Sequence, residues 1–273
     1  MNIFVLIKQV PDTAHITAEA MQEDGTVNRT ALPTIVNPSD LNALETALQL
    51  KERHGGKVTV ISMGPPSART ALKECFYMGA DQVILLNDKA FAGSDTLATS
   101  YILKTAMEKV GHFDLIICGK QAIDGDTAQV GPQIAEKLHL NQITFVSDIL
   151  ELDTGKKVIK ARRSTENGFE ILKSPLPLLM TVEDHANSPR PSNIKRMMAY
   201  KKTEFTADGV LFKMWGQKEL GLPDERCGFA GSPTKVKKVQ KVVLTAKDVK
   251  QIPNTDEGVR SLIHELCDEH IIG

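Results

Sequence analysis

Residues 119–132 (GKQAIDGDTAQVGP) have the residue types and spacing best suited to holding a phosphate group. They follow an apolar run directly and are expected to open a helix at about Thr127. The free N–H groups and the positive dipole of a helix start favour an anion. Gly119, Gly125 and Gly131 would permit tight turns or a close approach of the backbone to a ligand. The pattern therefore predicts nucleotide binding through the backbone.

The acidic residues of this loop leave a second interpretation open. Asp124 and Asp126 would repel a phosphate if they pointed at it, so they are expected to cap the helix, fix the loop or accept a ribose hydroxyl. The alternative is an ordinary strand-to-helix loop with an Asp or Thr cap. Neither the GxGxxG nor the GxxxxGK[ST] fingerprint occurs in the sequence. We recognise no Ser/His/Asp or Cys/His nucleophile arrangement, so no catalytic residue is predicted.

The elements that would position this loop predict an α/β fold with a doubly wound, mainly parallel sheet. Continuous apolar runs are typical of parallel strands that are buried on both faces, and they occur at residues 3–7, 58–62, 83–86 and 115–118. Helical patterns lie between these runs and are expected to begin near residues 37–39, 65–67 and 94–96. This alternation of strands and helices is typical of βαβ units.

The second half of the chain has a different texture. Closely spaced strand candidates after residue 142 predict an antiparallel extension of the sheet, and an Asp24-Gly25 pair earlier in the chain predicts a β-hairpin. Residues 186–237 have little periodicity and predict an extended arm, which a helix at 256–272 would follow. We therefore expect a ligand-binding α/β domain over residues 1–202 and a C-terminal arm with a terminal helix over residues 203–273.

Composition argues against several classes of function. A net charge of -1 and an aromatic content of 5% argue against binding to nucleic acid or anionic lipid. The four cysteines form no CxxC pair and the histidines form no HExxH pattern, so no metal site is predicted. Unpaired cysteines fit a reducing cytoplasm. The first apolar run, at residues 3–7, is too short for a signal peptide or a membrane span, so a cytoplasmic protein is expected.

A series of motifs, in order along the chain, resembles the electron-transfer flavoprotein β subunits. These motifs are VLIKQV at 5–10, VNPSD at 36–40, SMGP at 62–65, MGAD at 78–81 and the loop at 119–132. The family's later signature is resembled by Thr181-Val182, Asn187, Pro189-Arg190 and Lys201-Lys202. The resemblance therefore spans about residues 2–202.

The resemblance implies a fold of the adenine-nucleotide α-hydrolase type and a partner α subunit that carries FAD. The arm and terminal helix over residues 203–273 are expected to dock on that α subunit. In one subtype of the family, the β site holds AMP as a structural filler. In the other, it holds the adenylate half of a second FAD, which accepts a hydride from NADH. The implied cofactor-binding residues are Leu6, Asn37, Asp40, Met63, Ser94, Asp95, Thr96, Thr99, Gly119, Lys120, Gln121, Ala122, Asp124, Gly125, Asp126, Thr127, Ala128, Gln129, Val130 and Gly131.

Two features of the resemblance indicate the second subtype, which bifurcates electrons. Gly125 stands where the AMP subtype tends to have an acid, and residues 91–99 resemble a segment that bifurcating members place beside the second flavin. Thr96 and Thr99 would share a helix face there and could bond the flavin ring, while the helix dipole would stabilise an anionic reduced flavin. The alternative is that Ser94 or Asp95 is only an N-cap and that both threonines face solvent.

The bifurcating subtype implies two electron acceptors. One electron would reach ferredoxin, and the other would pass through the α-subunit FAD to a partner such as an acyl-CoA-dehydrogenase-like flavin enzyme. The alternatives are an AMP-containing electron shuttle and, from another class, an ATP-binding stress-type module. The latter would need a glycine-rich triphosphate loop, which the sequence lacks.

A loop after the Pro-Arg signature is the part of this family that docks the partner dehydrogenase. By its spacing from Pro189-Arg190, the implied apolar anchor is Ile194, and Met197 is the second choice. The neighbouring Lys195 and Arg196 would form a basic rim that steers the partner. The alternative is that Ile194 packs on its own domain.

Overall fold

Strands and helices alternate along the first half of the chain, as predicted. The computed structural model describes residues 1–12, 32–235 and 251–268. The strands are β1 (Asn2–Leu6), β2 (Gln9–Pro11), β3 (Thr34–Val36), β4 (Lys57–Met63), β5 (Gln82–Leu86), β6 (Leu115–Gly119), β7 (Asn141–Asp153), β8 (Val158–Thr165), β9 (Gly168–Pro175), β10 (Leu178–Val182) and β11 (Phe212–Trp215). The helices are α1 (Pro38–His54), α2 (Ala68–Met78), α3 (Thr96–Val110), α4 (Val130–Lys137), α5 (Ile194–Tyr200), α6 (Gln217–Leu220) and α7 (Asp256–Asp268).

One sheet of nine strands organises the molecule, in the order β11-β5-β4-β1-β6-β10-β7-β8-β9. The pairs from β11 to β7 are parallel, and β7, β8 and β9 pair antiparallel. The four apolar runs form β1, β4, β5 and β6, so the predicted parallel sheet with an antiparallel extension is confirmed. The carboxyl ends of the parallel strands meet at one edge of the sheet, where ligands bind in such folds.

Two apolar cores lie on opposite faces of this sheet. Alternate residues of β1 divide between them, because successive side chains of a strand point to opposite faces. Ile3 and Val5 join the first core, with α1 and α2, whereas Phe4 and Leu6 join the second, with α3 and α4. Helices therefore cover both faces, which explains why the central strands are apolar throughout.

The helices begin and end at residues with recognisable capping chemistry. Pro38 occupies the first turn of α1, where its missing N–H costs no hydrogen bond. The side chain of Asp95 accepts from the N–H groups of Leu97 and Ala98, so it caps α3 as an N-cap residue does. Gly79 ends α2 with a φ of 142°, which a residue with a side chain rarely adopts.

Part of the segment after residue 202 packs into the fold, whereas the sequence predicted an extended arm. Strand β11 pairs with β5 and extends the sheet. Phe205 and Phe212 are buried in the first core, and Trp215 is buried in the second. The sequence pattern missed this strand because it has four residues and a lysine among them. Residues 203–235 therefore complete the fold, which narrows the proposed arm to the residues after 235.

Helix α7 confirms a terminal helix, and none of its residues is buried. Val259 and Ile263 lie one turn apart on it and are both exposed. The β-hairpin predicted around Asp24-Gly25 lies outside the described residues. In the parts of the chain that the structure describes, no helix combines the length and apolar character needed to cross a membrane.

Candidate nucleotide site

The sheet changes direction of winding between β1 and β6. From β1 the chain adds β4 and β5 on one side, and it then returns to add β6 on the other. Such a switch point opens a crevice at the carboxyl ends of the two strands, which is where α/β sheets bind ligands. Lys8 follows β1 there, and the predicted phosphate loop follows β6 there. The topology therefore places the predicted phosphate loop at this crevice.

The loop presents a row of backbone donors. Within the described part of the chain, the N–H groups of residues 127–131 have no hydrogen-bond acceptor. Asp126 and Ala128 have left-handed backbones, with φ of 50° and 52°. Because a left-handed Ala128 cannot lie inside a right-handed helix, α4 begins at Val130 rather than at the predicted Thr127. Alternating backbone hands followed by a helix start form an anion-binding concavity.

The three glycines of the loop have different roles. A Cβ on Gly119 would lie 2.4 Å from a carboxylate oxygen of Asp40, and a Cβ on Gly131 would lie 2.9 Å from the sulfur of Cys118. These two glycines thus permit close packing within the protein. A Cβ on Gly125 would meet nothing within 4 Å. Gly125 is therefore the glycine whose outer side is open for a ligand.

The loop's charged side chains are paired with one another or with neighbours. The ammonium of Lys8 lies 2.7 Å from a carboxylate oxygen of Asp124, and that of Lys120 lies 3.2 Å from Asp184. The amide of Gln121 donates to Asp126 at 3.1 Å. These contacts support the expectation that the acids fix the loop, and the pairing with Lys8 offsets the charge that would otherwise repel a phosphate.

The start of α1 holds the loop from beneath. The side-chain amide of the fully buried Asn37 donates to the carbonyl of Gln121 at 2.8 Å and accepts from the N–H of Ile123 at 3.1 Å. The carboxylate of Asp40 accepts from the N–H groups of Lys8, at 2.8 Å, and Gly119, at 3.0 Å. Burial raises the pKa of Asp40 to about 7, although both N–H groups oppose that shift.

The start of α3 lies beside the loop. The hydroxyl of Thr96 donates to the side-chain carbonyl of Gln129 at 2.9 Å, and Gln133 donates to Thr96 at 3.2 Å. Thr99, on the same face, is half-buried. Leu6 is buried at the end of β1, and the half-buried Met63 ends β4. The structure therefore brings the first turn of α3 against the proposed phosphate loop.

Ser94 and Asp95 are engaged by a segment that we call the strap, residues 227–235. The N–H of Gly228 donates to the Ser94 hydroxyl at 3.1 Å, and both the N–H and the hydroxyl of Thr234 donate to Asp95, at 3.0 and 2.7 Å. Burial alone would raise the pKa of Asp95, but the bonds from Ala98, Thr234 and Leu97 hold it below its usual value. Asp95 is therefore the N-cap of α3, and its side chain also binds Thr234 of the strap.

Comparison with known proteins identifies the family. A family model described as the electron transfer flavoprotein domain matches residues 24–208. An electron transfer flavoprotein subunit beta from Thermoanaerobacterium thermosaccharolyticum is 43% identical over 273 residues, covering all of both chains. The chain belongs to the electron transfer flavoprotein family, among its β subunits.

Other members of the family extend the comparison. Protein FixA of Sinorhizobium fredii is 41% identical over 271 residues, which are 97% of this chain and 92% of that protein. The caffeyl-CoA reductase-Etf complex subunit CarD of Acetobacterium woodii is 39% identical over 274 residues and is covered in full. The similarity therefore includes the segments after residue 202 as well as the candidate site.

The implied docking loop of this family member forms helix α5. Ile194 is 74% exposed, so it does not pack on its own domain. Met198, one helical turn later, is 61% exposed, whereas Met197 is 38% exposed. Arg196 is not free to form part of the expected basic rim. Its guanidinium lies 4.3 Å from the ring centre of Phe76 and donates to the carbonyl of Ala80 at 2.6 Å. Arg196 therefore anchors α5, and Lys195 is exposed.

Sequence reasoning missed three contributors to these sites. Lys8 was visible as a cation directly after a buried strand, a position that opens onto the ligand edge of the sheet. Met198 was visible at helical spacing from Ile194. Thr234 carried no local signal, because its partner Asp95 lies 139 positions earlier in the chain.

Proposed function

We propose that this chain is the β subunit of an electron-bifurcating electron transfer flavoprotein and binds FAD between the loop at 119–131 and the start of α3. The observation that carries the proposal is the row of N–H groups at residues 127–131, which have no acceptor among the described residues and lie at the carboxyl edge of the sheet. Five adjacent donors at a helix start suit a diphosphate.

The reach of the site favours a dinucleotide over a mononucleotide. The contact between Thr96 and Gln129 joins the phosphate loop to a second helix start, whose dipole also favours negative charge. Leu97, in the first turn of α3, is exposed and supplies apolar surface there. A bound FAD would extend from the loop to this turn, whereas AMP would need the loop alone.

The protein's own contribution would be binding, orientation and charge. The bound flavin would supply the redox chemistry, which is acceptance of a hydride from NADH and release of electrons to ferredoxin and, through the α-subunit FAD, to a dehydrogenase. The N–H groups of 127–131 would hold the diphosphate, and the α3 dipole would stabilise negative charge on the ring. This division of labour is consistent with a site without a nucleophile or catalytic base.

A protein partner is supported by the uncovered surfaces. Strand β9 is an edge strand with Phe169 and Ile171 exposed, and α7 carries an exposed apolar stripe. Long apolar sheet edges are normally paired or covered. We assign these surfaces and the residues after 235 to the α subunit. The four cysteines, all within the described residues, are free thiols. Free thiols are consistent with a complex in the cytoplasm.

Counting the cofactors of the purified heterodimer tests the proposal. Two FAD molecules per heterodimer, with the second one reducible by NADH, is the expected result. One FAD together with AMP would instead identify the non-bifurcating subtype. The engagement of Ser94 and Asp95 by the strap favours that second candidate, because it leaves fewer side chains at α3 for a flavin ring.

Helix α5 is proposed to dock the dehydrogenase. Ile194→Ala should weaken that complex by about 2–4 kcal/mol, because an apolar anchor buried at an interface centre is a typical hot spot. NADH reduction of the flavin should continue, since α5 lies outside the nucleotide site. The measurement is the rate of electron transfer to the dehydrogenase against dehydrogenase concentration.

Val210→Ala is the matched control for this prediction. Val210 is as exposed as Ile194 but lies outside α5. The control should transfer electrons at the normal rate. Equal effects of the two variants, or loss of flavin reduction in Ile194→Ala, would contradict the assignment of α5.

A further inference from the structure

We propose that Asp40 is a positioning residue that sets the spacing of the two strand ends at the switch point, so that nucleotide affinity depends on its ionisation. The inference rests on the proposed nucleotide site and assigns Asp40 a role that acts through the backbone. The test below distinguishes a failure of this role from a failure of the site.

The geometry places one carboxylate across the crevice. One oxygen of Asp40 accepts from the N–H of Lys8, the second residue after β1, and the other accepts from the N–H of Gly119, the last residue of β6. Asp40 is only 7% exposed. Because β1 and β6 are the neighbours between which the sheet changes its winding, the carboxylate spans the switch point itself.

The surrounding residues hold the loop close to Asp40. A Cβ on Gly119 would overlap both Asp40 and Ser39, so the loop can approach α1 this closely only through a glycine. Asn37, at the start of the same helix, holds the carbonyl of Gln121 and the N–H of Ile123. Helix α1 therefore fixes the loop's path before it reaches the donor row.

Both bonds are strongest with the charged form of Asp40. An ionised carboxylate offers two charged acceptor oxygens, whereas a protonated one carries an O–H donor and is a weaker acceptor. Protonation would thus weaken the bonds from Lys8 and Gly119. The pKa of Asp40 is raised to about 7 by burial, so this change falls near neutral pH.

The other ionisable groups around Asp40 come from several elements. Lys8 lowers its pKa by charge attraction, although that ammonium is also paired with Asp124. Cys75 of α2 and Cys118 of β6 face it as buried thiols whose own pKa values are raised by burial and by the Asp40 charge. Both thiols are therefore neutral near pH 7, so Asp40 is the group that titrates there.

Fold stability and site geometry respond to pH in opposite directions. Since the folded pKa of Asp40 lies above its unfolded value, its contribution to stability is fully present below about pH 3.8 and is lost as pH rises through about 7. The two backbone bonds, in contrast, become stronger as pH rises through about 7 and Asp40 gains its charge. At higher pH the loop is thus held by a buried charge, and burying that charge lowers the stability of the fold.

The experiment measures FAD affinity of the flavin-depleted heterodimer by titration calorimetry, from about pH 5.5 to about pH 8.5. The diphosphate of FAD keeps a constant charge over this range. For the unmodified protein, the dissociation constant should rise as pH falls below about 7, by up to about tenfold per pH unit. Asp40→Asn cannot ionise, so it should bind more weakly than the unmodified protein at the upper end and should show no dependence on pH over the whole range.

Glu74→Gln is the matched control. Glu74 lies on α2, also has a pKa raised by burial, and is outside the nucleotide site. This variant should reproduce the unmodified profile. A flat profile for the unmodified protein, or the same slope in Asp40→Asn, would overturn the role of Asp40 while leaving the site intact. Absence of FAD and AMP binding at every pH would overturn the site and the inference together. Should Asp40→Asn fail to fold, the profile of the unmodified protein still decides.

Discussion

Gly125→Glu is expected to leave a folded subunit that has lost its nucleotide. Gly125 is exposed, and a Cβ there would meet nothing within 4 Å. Its φ lies outside the left-handed range, so a larger residue should add no backbone strain. The glutamate would place a third negative charge between Asp124 and Asp126, where, among the described residues, only Asp124 has a cation as partner. A diphosphate at the neighbouring donors should then bind at least about a hundredfold more weakly.

The measurement is the amount of nucleotide that co-purifies with the heterodimer, together with its melting temperature. Gly125→Ala is the control, because it adds volume without charge and should keep most of the nucleotide. Unchanged melting with loss of nucleotide in the glutamate variant alone is the expected pattern. Full retention of nucleotide with normal NADH oxidation in Gly125→Glu would contradict the placement of the ligand at this loop.

Two truncations should separate folding from assembly. A chain that ends at residue 202 lacks β11 and the buried rings of Phe205, Phe212 and Trp215. Removing a buried aromatic side chain costs about 3–5 kcal/mol, so three such losses rival the whole stability of a typical domain. This shorter chain should not fold. A chain that ends at residue 235 keeps β11 and the strap, and it should fold normally but fail to join the α subunit.

Circular dichroism melting and co-purification with the α subunit distinguish these outcomes. The chain that ends at residue 235 should melt cooperatively near the temperature of the isolated full-length subunit. Cooperative melting of the chain that ends at 202 would show that β11 is dispensable. Normal assembly of the chain that ends at 235 would show that the partner contacts lie elsewhere, with the exposed edge of β9 as the remaining surface.

The sequence was most informative where structure depends on neighbouring residues. The runs that form β1 and β6 are apolar throughout because helices cover both faces, and such runs are readable without a fold. The cap at Asp95 is readable for the same reason, since it bonds to N–H groups two and three residues later. The position of the loop at 119–131 could be predicted because the loop follows a strand that the sequence indicates.

The features that the sequence did not predict depend on distant partners. Strand β11 is a strand because β5 pairs with it, and its four residues show no clear period. The start of α4 at Val130 depends on the left-handed backbone of Ala128, and an alanine gives no sequence signal for that conformation. The buried contacts of Asp40 could be found only once β1 and β6 were known to be neighbours.

The strap has a consequence for the order in which the protein forms. Thr234 meets Asp95 across 139 positions of chain, so these bonds close one of the long loops of the molecule. Closing a long loop is opposed by chain entropy until the intervening sheet and helices have brought its ends together. During synthesis, residue 95 leaves the ribosome long before residue 234. The first turn of α3, where the flavin ring is proposed to lie, should therefore reach its final form only after residue 234 has left the ribosome. FAD capture should accordingly follow the synthesis of the strap.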